Sequence, residues 1–201
     1  MSPDTDDTDA AVARARRLSW MDEVAARLAA RERESPESLE GQRRAAVLVP
    51  LFVRDGGLRI LFTRRTETVE HHRGQISFPG GVEEESDETA FSTAVRETEE
   101  ELGIAPGDVQ LLGALTPLTT ITDFFVEPFV GAIPYPHVLK PAEAEIAEVI
   151  EVPLASLLDP KALETRILPG REEPTLFFHY GEHVIWGATA RMLEELLDAL
   201  R

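Results

Sequence analysis

The residues most able to do chemistry are three glutamates, Glu97, Glu100 and Glu101, which lie close together in residues 80–104. This segment holds nine carboxylates and a single basic residue, Arg96. On a helix, at about 100° per residue, the three glutamates share one arc beside an apolar face, and their like charges repel. Such a surface is either a solvated acidic face or a site for divalent cations. Oxygen ligands without histidine or cysteine suit Mg²⁺ or Mn²⁺.

The elements that would position these carboxylates can be predicted from the flanking sequence. An amphipathic helix is expected from about residue 87 to residue 102, and Gly103 is a typical helix end. Before the helix, a loop-like segment from residue 67 to residue 81 ends in Phe-Pro-Gly-Gly. Gly80 and Gly81 allow a close approach of the backbone, and one of their carbonyl groups could serve as a metal ligand.

The order of residues around the glutamates resembles a known family motif. The sequence RETEEELGI at residues 96–104 is similar to the Nudix box, in which a glycine and an acid precede R-E-U-x-E-E-x-G-U, where U is apolar. Thr98 stands where an aliphatic residue is usual. The resemblance implies a loop-helix-loop in which the glutamates bind divalent cations.

The early acid of the motif can be placed at either of two residues. The spacing from Gly81 to Arg96 is one residue longer than in the general box, so Asp87 or Glu88 could fill the acidic position. We favour Glu88, because it keeps the usual distance to Arg96. Arg96 itself is expected to pair with neighbouring carboxylates and to hold them in place.

An upstream stretch is similar to a motif of the coenzyme A pyrophosphatase branch of this family. That motif is L-L-T-x-R-S, then a spaced arginine, a glycine and F-P-G-G. This chain has LFTRRT at residues 61–66 and GQISFPGG at residues 74–81, with Glu70 where the spaced arginine is usual. Arg64, Arg65 and Arg73 could compensate by holding the substrate phosphates. The likeness extends over about residues 44 to 201.

The resemblance implies a fold and a set of roles. A Nudix domain is an α/β/α sandwich with a mixed sheet and a catalytic loop-helix-loop. The three glutamates would hold Mg²⁺ or Mn²⁺ near Arg96, and family members often draw a further carboxylate from a later loop. Glu145 is the candidate for that carboxylate, and Glu148 is the alternative. Breaking a P–O–P bond needs neutralised phosphate charge and an aligned water, which bound metal ions provide.

Composition narrows the classes of function. The 201 residues suit one domain, and a net charge of -17 disfavours binding to nucleic-acid backbones. The chain has no cysteine, so disulfides and thiolate sites are excluded. The longest apolar run, residues 45–53, is too short for a membrane helix of about 20 residues. The acidic N-terminus does not resemble a signal peptide, and we expect a cytoplasmic protein.

Periodicity and turn signals outline the rest of the chain. We expect an acidic tail and an N-terminal helix in residues 1–40, followed by the Nudix domain in residues 41–201. Two strands flank Asp55-Gly56-Gly57 as a hairpin. A strand at residues 124–133 contains Pro128, which suggests an edge strand or a bulge. Trp186, in a second hairpin before a C-terminal helix, is predicted to lie in the core.

The resemblance to the coenzyme A branch implies a pyrophosphatase. We expect metal-dependent hydrolysis of the pyrophosphate of coenzyme A or its thioesters, giving 3′,5′-ADP and 4′-phosphopantetheine or its acyl form. The alternative substrates are ADP-ribose, NADH or another nucleoside diphosphate derivative. A different alternative is a nucleotide-binding module that has lost its activity. The expected partner is a small molecule rather than nucleic acid or a membrane, with a homodimer left open.

Overall fold

The fold is known from a computed structural model that describes residues 19–33, 36, 41–67, 74–170 and 173–201. The acidic tail, Glu70 and the predicted phosphate-binding Arg73 lie outside the described residues. Within the described ranges, no helix combines the length and the apolar character that a membrane span requires.

The predicted first hairpin is confirmed. Strand β1 (Arg43–Arg54) pairs with β2 (Gly57–Arg65) in antiparallel register, with Arg54 opposite Gly57. The turn places Asp55 at φ 52° and Gly56 at φ 74°. Positive φ at both central residues matches the right-handed twist of the strands, which is why the Asp-Gly pair suits this turn.

A large mixed sheet grows from this hairpin. Its further strands are β3 (Ile76–Ser77), β4 (Gly80–Val82), β5 (Gln110–Ala114), β6 (Leu118–Thr119), β7 (Phe124–Ala132) and β8 (Ile146–Pro153). In the described residues the path through the sheet runs β3-β2-β1-β7-β5, with β8 beside β2, β4 beside β1 and β6 beside β7. The β1–β7 pair is parallel, whereas the other pairs are antiparallel.

The two strands of the hairpin diverge, and the glycine segment fills the gap between them. β1 pairs with β2 through residues 51–54 but with β4 through residues 45–47. β2 continues instead to pair with β3. The segment predicted as a loop therefore contains two short strands, and these fix Gly80 and Gly81 at the centre of the sheet.

Pro128 does not mark an edge strand. β7 lies between β1 on one side and β5 and β6 on the other, so the expectation of an edge is wrong. Pro128 lies between Val126, paired with β6, and Phe129, paired with β5. Its carbonyl accepts from the Leu115 N–H at 2.9 Å. A proline is tolerated where the partner strand changes, because no ladder bond needs its missing N–H there.

Helices cover both faces of the sheet, which confirms the predicted α/β class. Helix α1, whose described part is 19–29, and α4 (Gly187–Leu200) pack on one core, whereas α2 (Ala90–Leu102) packs on the other. A short α3 (Leu154–Leu158) follows β8. A separate small sheet contains β9 (Leu163–Arg166), which the sequence did not suggest, β10 (Thr175–Tyr180) and β11 (His183–Trp186).

The described part of α1 is an integral part of the packed domain. Met21, Val24 and Leu28 are buried in the core beside α4. Arg27 Nη1 donates to the Leu200 carbonyl at 2.6 Å, and Arg31 pairs with a carboxylate of α4. The predicted boundary between an N-terminal segment, residues 1–40, and the domain, residues 41–201, remains a prediction.

The fold makes a stability prediction at Gly80. Its φ is +152°, and a Cβ there would overlap the Ala46 carbonyl and lie 2.6 Å from Val47 Cα. Gly80→Ala should therefore lower the free energy of unfolding by about 3 kcal/mol, from backbone strain and overpacking together. Urea unfolding measures the change. Gly107→Ala is the matched control, because its Cβ would have no heavy atom within 4 Å. Equal unfolding midpoints for the two variants would contradict this prediction.

Candidate active site

Helix α2 carries the predicted glutamates, and its ends are well defined. It begins at Ala90 rather than near residue 87, because Thr89 caps it: the Thr89 hydroxyl accepts from the Ser92 N–H at 3.1 Å. It ends at Gly103, whose φ is 74° and whose N–H donates to the Glu99 carbonyl. Thr98, unusual for the motif, is fully buried, and its hydroxyl donates to the Ala94 carbonyl at 2.7 Å. A threonine is tolerated there because its polar atom is satisfied within the helix.

Arg96 binds the acidic groups at the start of the site. Its Nε and Nη2 each donate to the Asp87 carboxylate at 3.1 Å. Nη2 also donates to the Val82 carbonyl at 3.0 Å, and Nη1 lies 3.0 Å from Glu97 and 3.2 Å from Glu100. One guanidinium thus ties α2 to strand β4, as expected from a planar group with several donors.

Asp87 is the acid before α2 that pairs with Arg96, whereas the placement of the motif's early acid at Glu88 remains a prediction. The Asp87 side chain is nearly buried and also accepts from the Thr93 hydroxyl at 2.9 Å. Hydrogen bonding to Arg96 lowers the pKa of Asp87 to about 2. Sequence spacing could not reveal this, because residues 83–89 are not helical and the chain turns between the glycines and α2.

Glu101 is the most buried of the three glutamates. Its side chain is only 6% exposed, and the Gly80 N–H donates to its carboxylate. Burial raises the pKa of Glu101 from 4.5 to about 8, against the opposing effect of Arg65. Among the described residues, its Oε2 is buried with no hydrogen-bond partner. An ionised form of this carboxylate needs a further positive group.

Glu97 lies directly over Gly81. A Cβ on Gly81 would collide with the Glu97 carboxylate, with Oε2 only 2.6 Å away. The absence of a side chain at Gly81 is therefore what gives this carboxylate its place. Burial raises the pKa of Glu97, and the neighbouring Arg96 opposes that effect.

Arg65 connects Glu101 to the later carboxylate. Its Nη1 lies 3.8 Å from Glu101 Oε1, and its Nη2 lies 3.8 Å from Glu145 Oε2. The Thr66 N–H donates to the Glu145 carbonyl at 2.8 Å, which holds the two chain segments together. The predicted site residues Arg65, Glu97, Glu101 and Glu145 are thus brought together around Gly80 and Gly81.

The loop after β7 fixes Glu145 relative to α2. The Lys140 N–H donates to the Leu102 carbonyl at 2.8 Å, and the Ala142 N–H donates to the Glu101 carbonyl at 2.9 Å. The Ala142 carbonyl in turn accepts from the Glu145 N–H at 2.8 Å. Carbonyls at the C-terminal end of α2, which lack helical partners, therefore position the segment that carries Glu145.

Arg64 and Glu148 lie elsewhere. Arg64 Nε donates to Glu148 Oε2 at 2.8 Å, and Glu148 Oε1 lies 3.8 Å from His183 of the small sheet. Successive side chains of a strand point to opposite faces. Arg64 and Arg65 therefore serve different surfaces and cannot both hold the phosphates beside Glu101. Of the two carboxylate candidates, Glu145 is the one next to the cluster.

The residues fit a divalent cation, although they are not closed around one. Within the described part of the chain, no three acidic or histidine side chains converge closely enough to hold a metal ion. Arg96 binds Glu97 and Glu100 instead, and Glu100 is 60% exposed. The donor set consists of carboxylates, which suits Mg²⁺ or Mn²⁺. The Oε2 of Glu101 is buried without a hydrogen-bond partner among the described residues, so a cation bound there would stabilise its ionised form.

Trp186 is a residue that sequence reasoning placed wrongly. It was expected in the core but is 38% exposed, at the end of β11 and just before α4. Alternation along β11 indicates the reason, because Ile185 is buried and its two neighbours face the other way.

Comparisons with known proteins agree on the fold and the family. The Nudix domain family model matches residues 42–169. A Nudix hydrolase named NudL from Photorhabdus laumondii is 37% identical over 164 residues, covering 81% of this chain and 87% of the relative. NudL of Escherichia coli is 36% identical over 159 residues, covering 77% and 81%. A solved MutT/nudix family protein from Enterococcus faecalis aligns with a TM-score of 0.53 and 17% identity, over 83% of this chain and 63% of that one. This last similarity shows the fold alone.

Burial of Glu101 predicts a pH dependence of stability in the absence of metal. Because its folded pKa, about 8, lies above its ordinary value of 4.5, the wild type should lose stability as pH rises between these values. The slope from this group is at most about 1.4 kcal/mol per pH unit. Glu101→Gln removes the titrating group, so its advantage in melting temperature over the wild type should grow up to pH 8 and then level off. Thermal melts in EDTA at several pH values measure this.

The control for this experiment is Glu99→Gln, which changes an exposed carboxylate of the same helix. Its melting temperature should follow the wild type at every pH. A Glu101→Gln advantage that is constant with pH would show that the Glu101 carboxyl is not buried as described.

Proposed function

Because the chain belongs to the Nudix hydrolase family, we propose that it hydrolyses the pyrophosphate bond of coenzyme A or its thioesters. The products are 3′,5′-ADP and 4′-phosphopantetheine, or the acyl form of the latter. The observation that carries the proposal is the position of Arg65. This residue belongs to the upstream stretch similar to the coenzyme A branch, and its guanidinium lies between Glu101 and Glu145.

Glu97, Glu100 and Glu101 are the residues we assign to hold Mg²⁺ or Mn²⁺. Bound ions of this kind neutralise charge on the phosphates and lower the pKa of a bound water. Glu101 contributes its buried Oε2. The Glu97 carboxylate occupies the space that a side chain at residue 81 would fill. Arg96 and Asp87 keep the helix against β4, so that the carboxylates stay near the glycine backbone.

Arg65 and Glu145 are assigned to the substrate side of the reaction. Arg65 can donate from its guanidinium to a phosphate oxygen, which favours the charge that develops on the leaving group. Glu145 is 53% exposed, so a water molecule can reach its carboxylate. In the hydrolysis, the water oxygen bonds to one phosphorus and the bridging P–O bond breaks, leaving its oxygen on the second phosphate. Glu145 Oε2 accepts the proton that this water releases.

A substrate panel tests the proposal. Steady-state rates with coenzyme A, dephospho-coenzyme A, ADP-ribose and NADH should give the highest kcat/KM for coenzyme A. A much higher kcat/KM for ADP-ribose or NADH would replace coenzyme A by that substrate within the same reaction class. The absence of turnover for the whole panel, with nucleotide binding retained, would instead identify a binding module without activity.

Metal removal gives a further prediction. EDTA should abolish turnover, and Mg²⁺ or Mn²⁺ should restore it without zinc. In the absence of substrate, Mg²⁺ at a hundred times its Kd should stabilise the folded wild type by about 2.7 kcal/mol. The melting temperature of the wild type should therefore rise when Mg²⁺ is added. Glu101→Gln should lose at least about a hundredfold in kcat, the size of a lost electrostatic contact in the transition state.

The control again is Glu99→Gln, which should keep both the activity and the Mg²⁺-dependent melting shift. Full turnover by metal-stripped protein, or an unchanged melting shift in Glu101→Gln, would remove Glu101 from the metal site.

A further inference from the structure

A cavity lies across strand β2 from the carboxylate cluster. Its volume is ≈ 520 Å³, which falls in the usual range of small-molecule sites, about 300–1,000 Å³. Among the described residues, the side chains that matter for its chemistry are Arg64, Gln75, Glu148, Glu182, His183 and Trp186. The upstream stretch that resembles the coenzyme A branch thus contributes Arg65 to the cluster and Arg64 to this cavity.

Trp186 supplies an aromatic surface to the cavity. One face of its indole stacks on Phe177, with ring centroids 6.3 Å apart and an interplanar angle of 15°. The Arg166 guanidinium covers Phe177 in turn, at 4.9 Å from the ring centroid. The indole is therefore held in a stack, yet it remains 38% exposed and lines the cavity. A planar ligand ring can continue this stack on the uncovered part of the indole.

The polar groups of the cavity favour a neutral ligand over a phosphate. Glu148 binds Arg64 at 2.8 Å and lies 3.8 Å from His183, so its charge and that of Arg64 offset each other. Glu182 adds a second carboxylate to the lining. With one arginine and two glutamates, the described lining holds no surplus of positive charge for an anion. It does offer carboxylate acceptors for N–H groups, and donors on Arg64 for ring nitrogens.

From this geometry we propose that the cavity binds the purine base of a nucleotide. The ring stacks on Trp186, its exocyclic amino group donates to a carboxylate of Glu148 or Glu182, and a ring nitrogen accepts from Arg64. The link to catalysis rests on the proposed function: because Arg64 and Arg65 face opposite sides of β2, the substrate would bend around the end of this strand, with its base at Arg64 and its pyrophosphate at Arg65. The assignment is independent of whether coenzyme A or ADP-ribose is the substrate, since both carry adenine.

Fluorescence tests the site without any reaction. The chain has two tryptophans, Trp20 on α1 and Trp186, and both are 38% exposed. In Trp20→Phe, adenosine added in EDTA should change the emission of Trp186 along a saturating curve, with excitation at the red edge of the indole band. In the matched variant Trp186→Phe, the emission of Trp20 should not change. A saturating response to pantetheine but not to adenosine would overturn the proposal, as would a response of Trp20 alone.

Kinetics provide the second measurement. Stacking of a base on an aromatic side chain is worth enough to change affinity by about tenfold or more. Trp186→Ala should therefore raise the KM for the best substrate of the panel about tenfold with little change in kcat, and Trp186→Phe should recover most of this loss. Glu182→Gln, on the rim, tests the amino-group contact, and adenosine should bind more weakly to it than to the wild type. An unchanged KM in soluble, folded Trp186→Ala would overturn the proposal.

The two proposals fail separately. If no panel substrate is hydrolysed but adenosine still quenches Trp186, the proposed function fails and the base site stands. If coenzyme A is hydrolysed but neither the emission nor the KM responds at Trp186, the base site fails and the proposed function stands.

Discussion

The buried carboxylate of Glu101 is the constraint on which the site depends. Burial away from water, with one oxygen left without a partner among the described residues, destabilises the ionised form of this carboxyl group. The pKa of Glu101 is raised for this reason. The Gly80 N–H and the more distant Arg65 offset only part of it. The surrounding fold holds the group in this position through the close contact of β4 with β1 and through the packing of α2. In its ionised form this carboxylate would be stabilised by a nearby positive charge.

Arg96 balances the remaining negative charge in a different way. It uses the nearly buried Asp87 as a permanent partner and binds Glu97 and Glu100 with its remaining donors. The Asp87 contact joins the chain before α2 to the helix, whereas the contacts to Glu97 and Glu100 lie within the helix. A single guanidinium therefore both fixes the chain before α2 and neutralises part of the negative charge on the helix. Four of the nine carboxylates of residues 80–104 lie in α2, and Arg96 contacts two of them, which reduces the repulsion along this helix.

Periodic patterns in the sequence predicted the elements, and contacts between distant segments determined the rest. The hairpin at Asp55-Gly56 and the acidic helix followed from local turn chemistry and from the spacing of apolar residues. The pairing of Asp87 with Arg96 did not, because it depends on how a non-helical turn returns to Arg96. The separation of Arg64 from Arg65 was implicit in strand alternation, but it required the strand to extend through both residues. The exposure of Trp186 depends on the small sheet, one strand of which the sequence did not suggest.

The alternation of Arg64 and Arg65 has a consequence for how this fold can vary. β2 serves a different surface with each of these neighbouring residues, and its register with β8 already shifts between them. Insertion of one residue into β2 ahead of this pair would exchange their faces and turn Arg64 toward Glu101. The hairpin turn at residues 55–56 lies outside the paired region, so a change of length there would leave the faces of Arg64 and Arg65 unchanged, unlike a change within the strand. An insertion or deletion of one residue between the core of β2 and this arginine pair would exchange the surfaces that Arg64 and Arg65 face.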